Sequence, residues 1–235
     1  MTLLTIIITP VITLVFIIAL QAKWAKKTAI RLPEASGSRE ELTGNSPTLL
    51  HIGESTVAGV GVSHINDGLT AQIIKDLDSR HHKTMDWQVL GINGAKISDL
   101  LHCQTAIKSP DVLLITTGVN DTTGFTSTST WRKNLKQCVD TFANTDTDVY
   151  FTAVPPMEKF PLLPRPLNYF LGVRAAWLDW QLKTLCQQQG WNYLENTLDT
   201  RKEFIAPDGY HPSAEGYRQW AGMISGKIAE GLGAC

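Results

Sequence analysis

Five short motifs in this chain of 235 residues carry the residue types of acyl-transfer chemistry, and each follows an apolar run of strand length. They are Gly53-Glu54-Ser55, Gly91-Ile92-Asn93-Gly94, Gly118-Val119-Asn120-Asp121, Val154-Pro155-Pro156 and Asp208-Gly209-Tyr210-His211. A serine hydroxyl is a weak nucleophile. It needs a base beside it and donors for the oxyanion that forms when it attacks a carbonyl. Ser55 supplies the hydroxyl and His211 the base, while Asp208, three residues earlier, is placed to hold the imidazole tautomer and steady the imidazolium. Gly94 can aim a backbone N–H into a site because no Cβ blocks the approach. Asn120 offers a side-chain amide.

Each residue also has an ordinary structural role open to it. Gly-x-Ser is a common turn, and Val57 occupies the last glycine position of the Gly-x-Ser-x-Gly elbow, so that motif is absent. Gly94 can simply support a turn, Asn120-Asp121 can cap a helix, and Asp208-Gly209 can be a surface turn. The catalytic reading rests on all of them reaching one edge.

That requirement points to the elements that must carry them. The runs from Thr48 to Ile52, Trp87 to Ile92, Asp111 to Thr117, Val149 to Val154 and Trp191 to Leu194 read as five strands. Between them, apolar residues recur at helical spacing: Leu69, Ile73, Ile74 and Leu77, then Trp131, Leu135, Cys138, Val139 and Phe142. After Pro212, residues Tyr217, Trp220, Ala221, Ile224 and Ile228 read as a terminal helix. Strands alternating with crossover helices predict a doubly wound α/β domain with a five-stranded parallel sheet, whose carboxyl edge is where such folds bind ligands. Val173, Trp177, Trp180 and Leu185 are expected to form a core-facing helical stripe.

The amino terminus differs from the rest. Leu3 to Leu20 carries no charge, and eighteen residues at the helical rise span about 27 Å, close to a bilayer's hydrocarbon thickness. No basic residue precedes this run, and Leu20-Gln21-Ala22 is a poor cleavage site, which favours an uncleaved anchor over a removed signal. Lys23, Lys26, Lys27 and Arg31 follow, placing the body of the protein in the cytoplasm by the positive-inside rule, with an extracytoplasmic location as the alternative. Residues 1–22 thus read as an anchor, 23–47 as a polar linker and 48–235 as the catalytic domain. A net charge of −1 gives no electrostatic footprint for nucleic acid. The four cysteines lack C-x-x-C spacing and read as small buried hydrophobes, and no metal-ligand or cofactor pattern stands out.

In order and spacing, the Ser55, Gly94, Asn120 and Asp208–His211 blocks resemble those of the SGNH hydrolases, also called the GDSL esterase/lipase family. The resemblance covers residues 48–232. It implies a flavodoxin-like three-layer α/β/α sandwich without a metal requirement. It also implies Ser55 as nucleophile, His211 as base, Asp208 as its partner, and an oxyanion hole from Ser55 N–H, Gly94 N–H and the Asn120 side chain. One departure stands out: Glu54 replaces the family's aspartate before the serine. Altered local packing with retained chemistry is expected there.

These readings converge on a serine-dependent carboxylic ester hydrolase, possible thioesterase activity included. An acyltransferase on the same scaffold and an inactive binding module are the alternatives. The segment from Pro155 to Leu167 holds five prolines and several apolar residues as it leaves the active edge. With the anchor, it favours a small-molecule or lipid-like acyl ester over a sugar acetate.

Overall fold

The computed structural model describes residues 3–195 and 201–233, with side chains from residue 9 onward. A long helix, α1 (Leu3–Thr28), leads into a six-stranded sheet: β1 (Glu40–Glu41), β2 (Thr48–Gly53), β3 (Asp86–Gly91), β4 (Val112–Thr116), β5 (Asp148–Thr152) and β6 (Asn192–Leu194). The spatial order is β1-β3-β2-β4-β5-β6, and every pairing except β1 with β3 is parallel. The five strands expected from sequence therefore form the parallel part in the flavodoxin-like order. The sixth lies inside the segment read as linker. Two glutamates give no apolar run to detect; Gln88 Nε2 donates to Glu40 Oε2 at 2.6 Å, tying this edge strand to β3.

Side chains alternate along each strand between two cores, as the period of two requires. Leu50, Ile52, Leu113, Ile115 and Phe151 face α5 (Thr128–Phe142) and α6 (Leu167–Gln189), which also packs against the strand-like run Asn192–Leu194. Leu49, Val112, Leu114 and Tyr150 face α2 (Leu69–His81) and α7 (Ala214–Gly231). Two short helices, α3 (Ile97–Leu100) and α4 (Val119–Thr123), and 3-10 turns between elements complete the set. Trp131 on α5 is fully buried and donates from Nε1 to the Leu178 carbonyl at 3.2 Å, fixing α5 against α6. A buried aromatic of this size contributes on the order of 2–3 kcal/mol through burial alone.

The stripe expected from Val173, Trp177 and Trp180 turns the other way. Leu171, Ala175, Leu178, Leu182 and Leu185 face the core, while Val173, Trp177 and Trp180 are 75%, 49% and 54% exposed. Both sets have helical spacing, so periodicity alone cannot choose between them; the leucine stripe, smaller and interdigitating with α5, takes the core. Of the cysteines, Cys138 and Cys186 are buried and Cys103 is partly so, whereas Cys235 lies outside the described residues.

Helix α1 does not end at residue 22. It continues to Thr28, and its last turns pack on the domain, with Ile18 and Ala25 against the α5/α6 core. Gln21 donates from Nε2 to Arg165 O at 2.6 Å and accepts from Leu167 N at 3.1 Å, supplying an acceptor at the start of α6. Over Thr9–Thr28 the helix is long and apolar enough to cross a bilayer.

Candidate active site

The strand order reverses between β2 and β4, and the crevice at such a switch point is where ligands bind in this architecture. Gly53 at the end of β2 is in register with Gly91 on β3 and Thr116 on β4. Ser55, Gly94 and Asn120 therefore leave the same edge at the same level, two to four residues beyond their strand ends. The chain after Ser55 turns at once, with Val57 N and Ala58 N donating to Glu54 O and Val60 N to Ser55 O. Tyr217 Oη on α7 donates to Val60 O at 2.6 Å, holding this turn against the helix that follows His211.

Asp208 and His211 arrive on a closed loop before α7. Ala206 N donates to His211 O, Ser213 N to Phe204 O, and Ser213 Oγ caps α7 by accepting from Gly216 N. Within the loop, Asp208 Oδ1 accepts from Tyr210 N at 3.0 Å and His211 N at 3.1 Å, and Oδ2 lies 2.5 Å from His211 Nδ1. His211 Nε2 lies 2.8 Å from Ser55 Oγ. The three side chains, 156 residues apart at the extremes, thus form one hydrogen-bonded chain. Burial pushes the Asp208 carboxyl upward, but the bonds from His211 and from the two backbone N–H groups outweigh it and hold the group below its ordinary value. A carboxylate kept charged at 1% exposure is what an imidazolium partner requires.

Gly94 adopts φ +82°, and a Cβ added there would meet nothing within 4 Å. Asn120 sits in the first turn of α4, after Gly118 at φ +131°. A Cβ at Gly118 would fall 2.6 Å from Val154 Cγ2, so backbone and packing both demand glycine there.

Glu54 has more to do than the sequence revealed. Fully buried, it accepts from Val119 N at 2.9 Å, from Asn120 N at 3.0 Å and from Asn120 Nδ2 at 2.5 Å. One side-chain N–H of Asn120 is thereby fixed. Burial is the largest influence on Glu54, and together with the nearby Asp121 charge it outweighs these donors and lifts the carboxyl to about 7. Asp121, also buried, accepts from Ile97 N at 2.9 Å, and Lys96 Nζ donates to Gly124 O at 3.0 Å. These bonds tie the segment of Gly94 to that of Asn120. Arg174 on α6 donates to Thr122 O and Thr126 O, closing the far end of α4. Long-range pairings of this kind leave no spacing signal in the sequence.

His51, inside β2, stands apart from this chain: its ring nitrogens lie 2.8 Å from Thr70 Oγ1 and 2.9 Å from Thr116 Oγ1, and burial lowers its pKa to about 3. It is a neutral clamp between α2 and β4. Among the described residues no group of three or more His, Cys, Asp or Glu is placed to hold a metal ion.

A family model described as GDSL-like lipase/acylhydrolase matches residues 51–219. Among solved structures, the lipase/acylhydrolase from Enterococcus faecalis aligns with a TM-score of 0.62 at 19% identity, covering 78% of this chain and 96% of that one. The psychrotrophic esterase EstA from Pseudoalteromonas sp., in a structure inhibited by monoethylphosphonate, aligns at 0.63 with 16% identity, covering 79% and 98%. A member of the lipolytic G-D-S-L family from Veillonella parvula aligns at 0.60 with 14% identity, covering 78% and 97%. No curated protein sequence matches this chain. With more than half its length matched by that model and its fold shared with these structures, the chain belongs to the GDSL-like lipase/acylhydrolase family and is a hydrolase of ester bonds.

Proposed function

We propose that the protein hydrolyses carboxylic esters through a covalent acyl-Ser55 intermediate, and that α1 anchors it in a membrane. The observation that carries the reading is the bonded chain Ser55 Oγ, His211 Nε2, His211 Nδ1, Asp208 Oδ2. His211 takes the Ser55 proton as the oxygen attacks the ester carbonyl, and the Asp208 carboxylate stabilises the resulting imidazolium. The tetrahedral oxyanion is held by Ser55 N–H, Gly94 N–H and the second N–H of Asn120 Nδ2. Collapse expels the alcohol, protonated by His211, and water attacks the acyl-serine with His211 again as base. The acyl group is apolar or lipid-like, in keeping with the apolar segment beside the triad loop, where the Phe160 and Tyr210 rings meet edge-on at 6.1 Å.

The interlock of Gln21 with the start of α6 supports retention of α1, because cleavage at residues 20–22 would remove it. Lys23, Lys26, Lys27 and Arg31 favour a cytoplasmic catalytic domain. Incubating the full chain with an alkyl fluorophosphonate and locating the adduct by peptide mass spectrometry tests the mechanism. Modification confined to Ser55 is the expected result; modification elsewhere with Ser55 free contradicts it.

A further inference from the structure

The exposed face of α6 changes character along its length. From Tyr169 to Trp180 the exposed positions are Tyr169, Phe170, Val173, Ala176, Trp177 and Trp180, and none carries a charge. Beyond them the same helix presents Lys183, Thr184, Gln187 and Gln188 to water. A soluble helix in this position would alternate its buried leucines with polar residues over the whole length. The apolar half is also the half nearest α1: Leu14 and Ile18 of α1, with Phe125, Phe170, Val173 and Trp177, line one groove of about 640 Å³.

We propose that this half of α6 is a bilayer-docking face, which seats the catalytic domain on the same lipid surface that α1 enters. Continuity makes lipid the occupant, since the face adjoins an apolar helix long enough to span the bilayer. Its composition agrees, because Trp and Tyr concentrate where an apolar phase meets headgroups, and Arg165 lies 5.5 Å over the Tyr169 ring at its edge. The face runs on toward the active site through exposed Leu162, whose side chain packs so closely on Gly209 that a Cβ there would lie 2.4 Å from Leu162 Cγ. Gly209 lies between Asp208 and His211, so docking brings the triad loop to the surface from which an ester within the bilayer would be drawn. The substrate part of this inference rests on the esterase and anchor readings above; the docking part is tested separately.

The test places a nitroxide label at single cysteines in the full chain with Cys103 and Cys235 replaced by serine, reconstituted in vesicles of phosphatidylcholine and phosphatidylglycerol. Val173→Cys reports the face, Phe16→Cys reports α1, and Ser79→Cys on α2, across the sheet, is the aqueous reference. The expected result at Val173 is high collision with oxygen and low collision with a water-soluble nickel chelate. Nickel accessibility at Val173 equal to that at Ser79 overturns docking even if Phe16 lies in lipid, so failure of the face and failure of the anchor are distinguished. Shielding of Val173 from both reagents also overturns it, because a protein partner or second copy would then cover the face. In parallel, replacing Phe170, Trp177 and Trp180 together by serine is expected to slow hydrolysis of a long-chain ester held in vesicles by about tenfold, through lost orientation. Turnover of p-nitrophenyl acetate by the same variant is expected to stay unchanged; an equal fall on both substrates, or none on either, contradicts delivery from the bilayer.

Discussion

At the scale of single residues, the proposed mechanism divides into groups that react and groups that hold them. Ser55→Ala and His211→Ala are expected to lower ester hydrolysis by a factor on the order of 10⁴ or more with the fold retained, and Asn120→Ala by about 10²–10³. Circular dichroism beside steady-state rates checks both statements. Glu54 gives a prediction in pH. Its folded pKa of about 7 lies above the ordinary carboxylate value, so the folded state binds the extra proton and Glu54's contribution to stability falls as pH rises through that window. The destabilisation caused by Glu54→Ala is therefore expected to be larger at pH 5 than at pH 8, by an amount on the order of 2 kcal/mol. Urea unfolding of both proteins at the two pH values measures it, and a penalty that grows with pH would contradict the assignment. The pairing of Asp208 with His211 was legible in the sequence, because three residues separate them in one loop. The bonds of Glu54 to Val119 and Asn120 were not, because they span 65 and 66 residues and depend on how β2 and β4 are placed side by side.

At the scale of elements, α4 is the piece whose position matters most, since it presents Asn120. Gly118 at its start accepts no side chain without clashing with Val154, so Gly118→Ala is expected to cost on the order of 2–3 kcal/mol and to reduce turnover by displacing Asn120. Thermal unfolding together with kcat for the variant reads both effects. The helices and the parallel strands were readable from periodicity because each pairs a long apolar pattern with a clear break. The edge strand Glu40–Glu41 was not, since two exposed acidic residues match no strand template and take strand form by pairing with β3. The outward face of α6 departs from the periodicity for a different reason. Two apolar stripes lie on one helix, and only the packing of α5 decides which of them is inside.

At the scale of the whole molecule, a three-layer domain has an apolar helix partly built into its α5/α6 side. Retention of that helix is open to a direct check: intact mass of the purified membrane-fraction protein is expected to include residues 1–22, and a chain starting near Ala22 would contradict the anchor. The fold was largely readable from sequence, because strand ends in a parallel sheet converge whatever the loops do. The disposition of α1 was not, because a hydropathy run carries no record of which side of it touches the domain. The acyl-serine mechanism is put to the test by comparing hydrolysis of a p-nitrophenyl ester series, acetate through palmitate, by the full chain and its Ser55→Ala variant. Turnover by the unaltered protein that falls to background in Ser55→Ala is the expected result. Comparable turnover by both would contradict the mechanism.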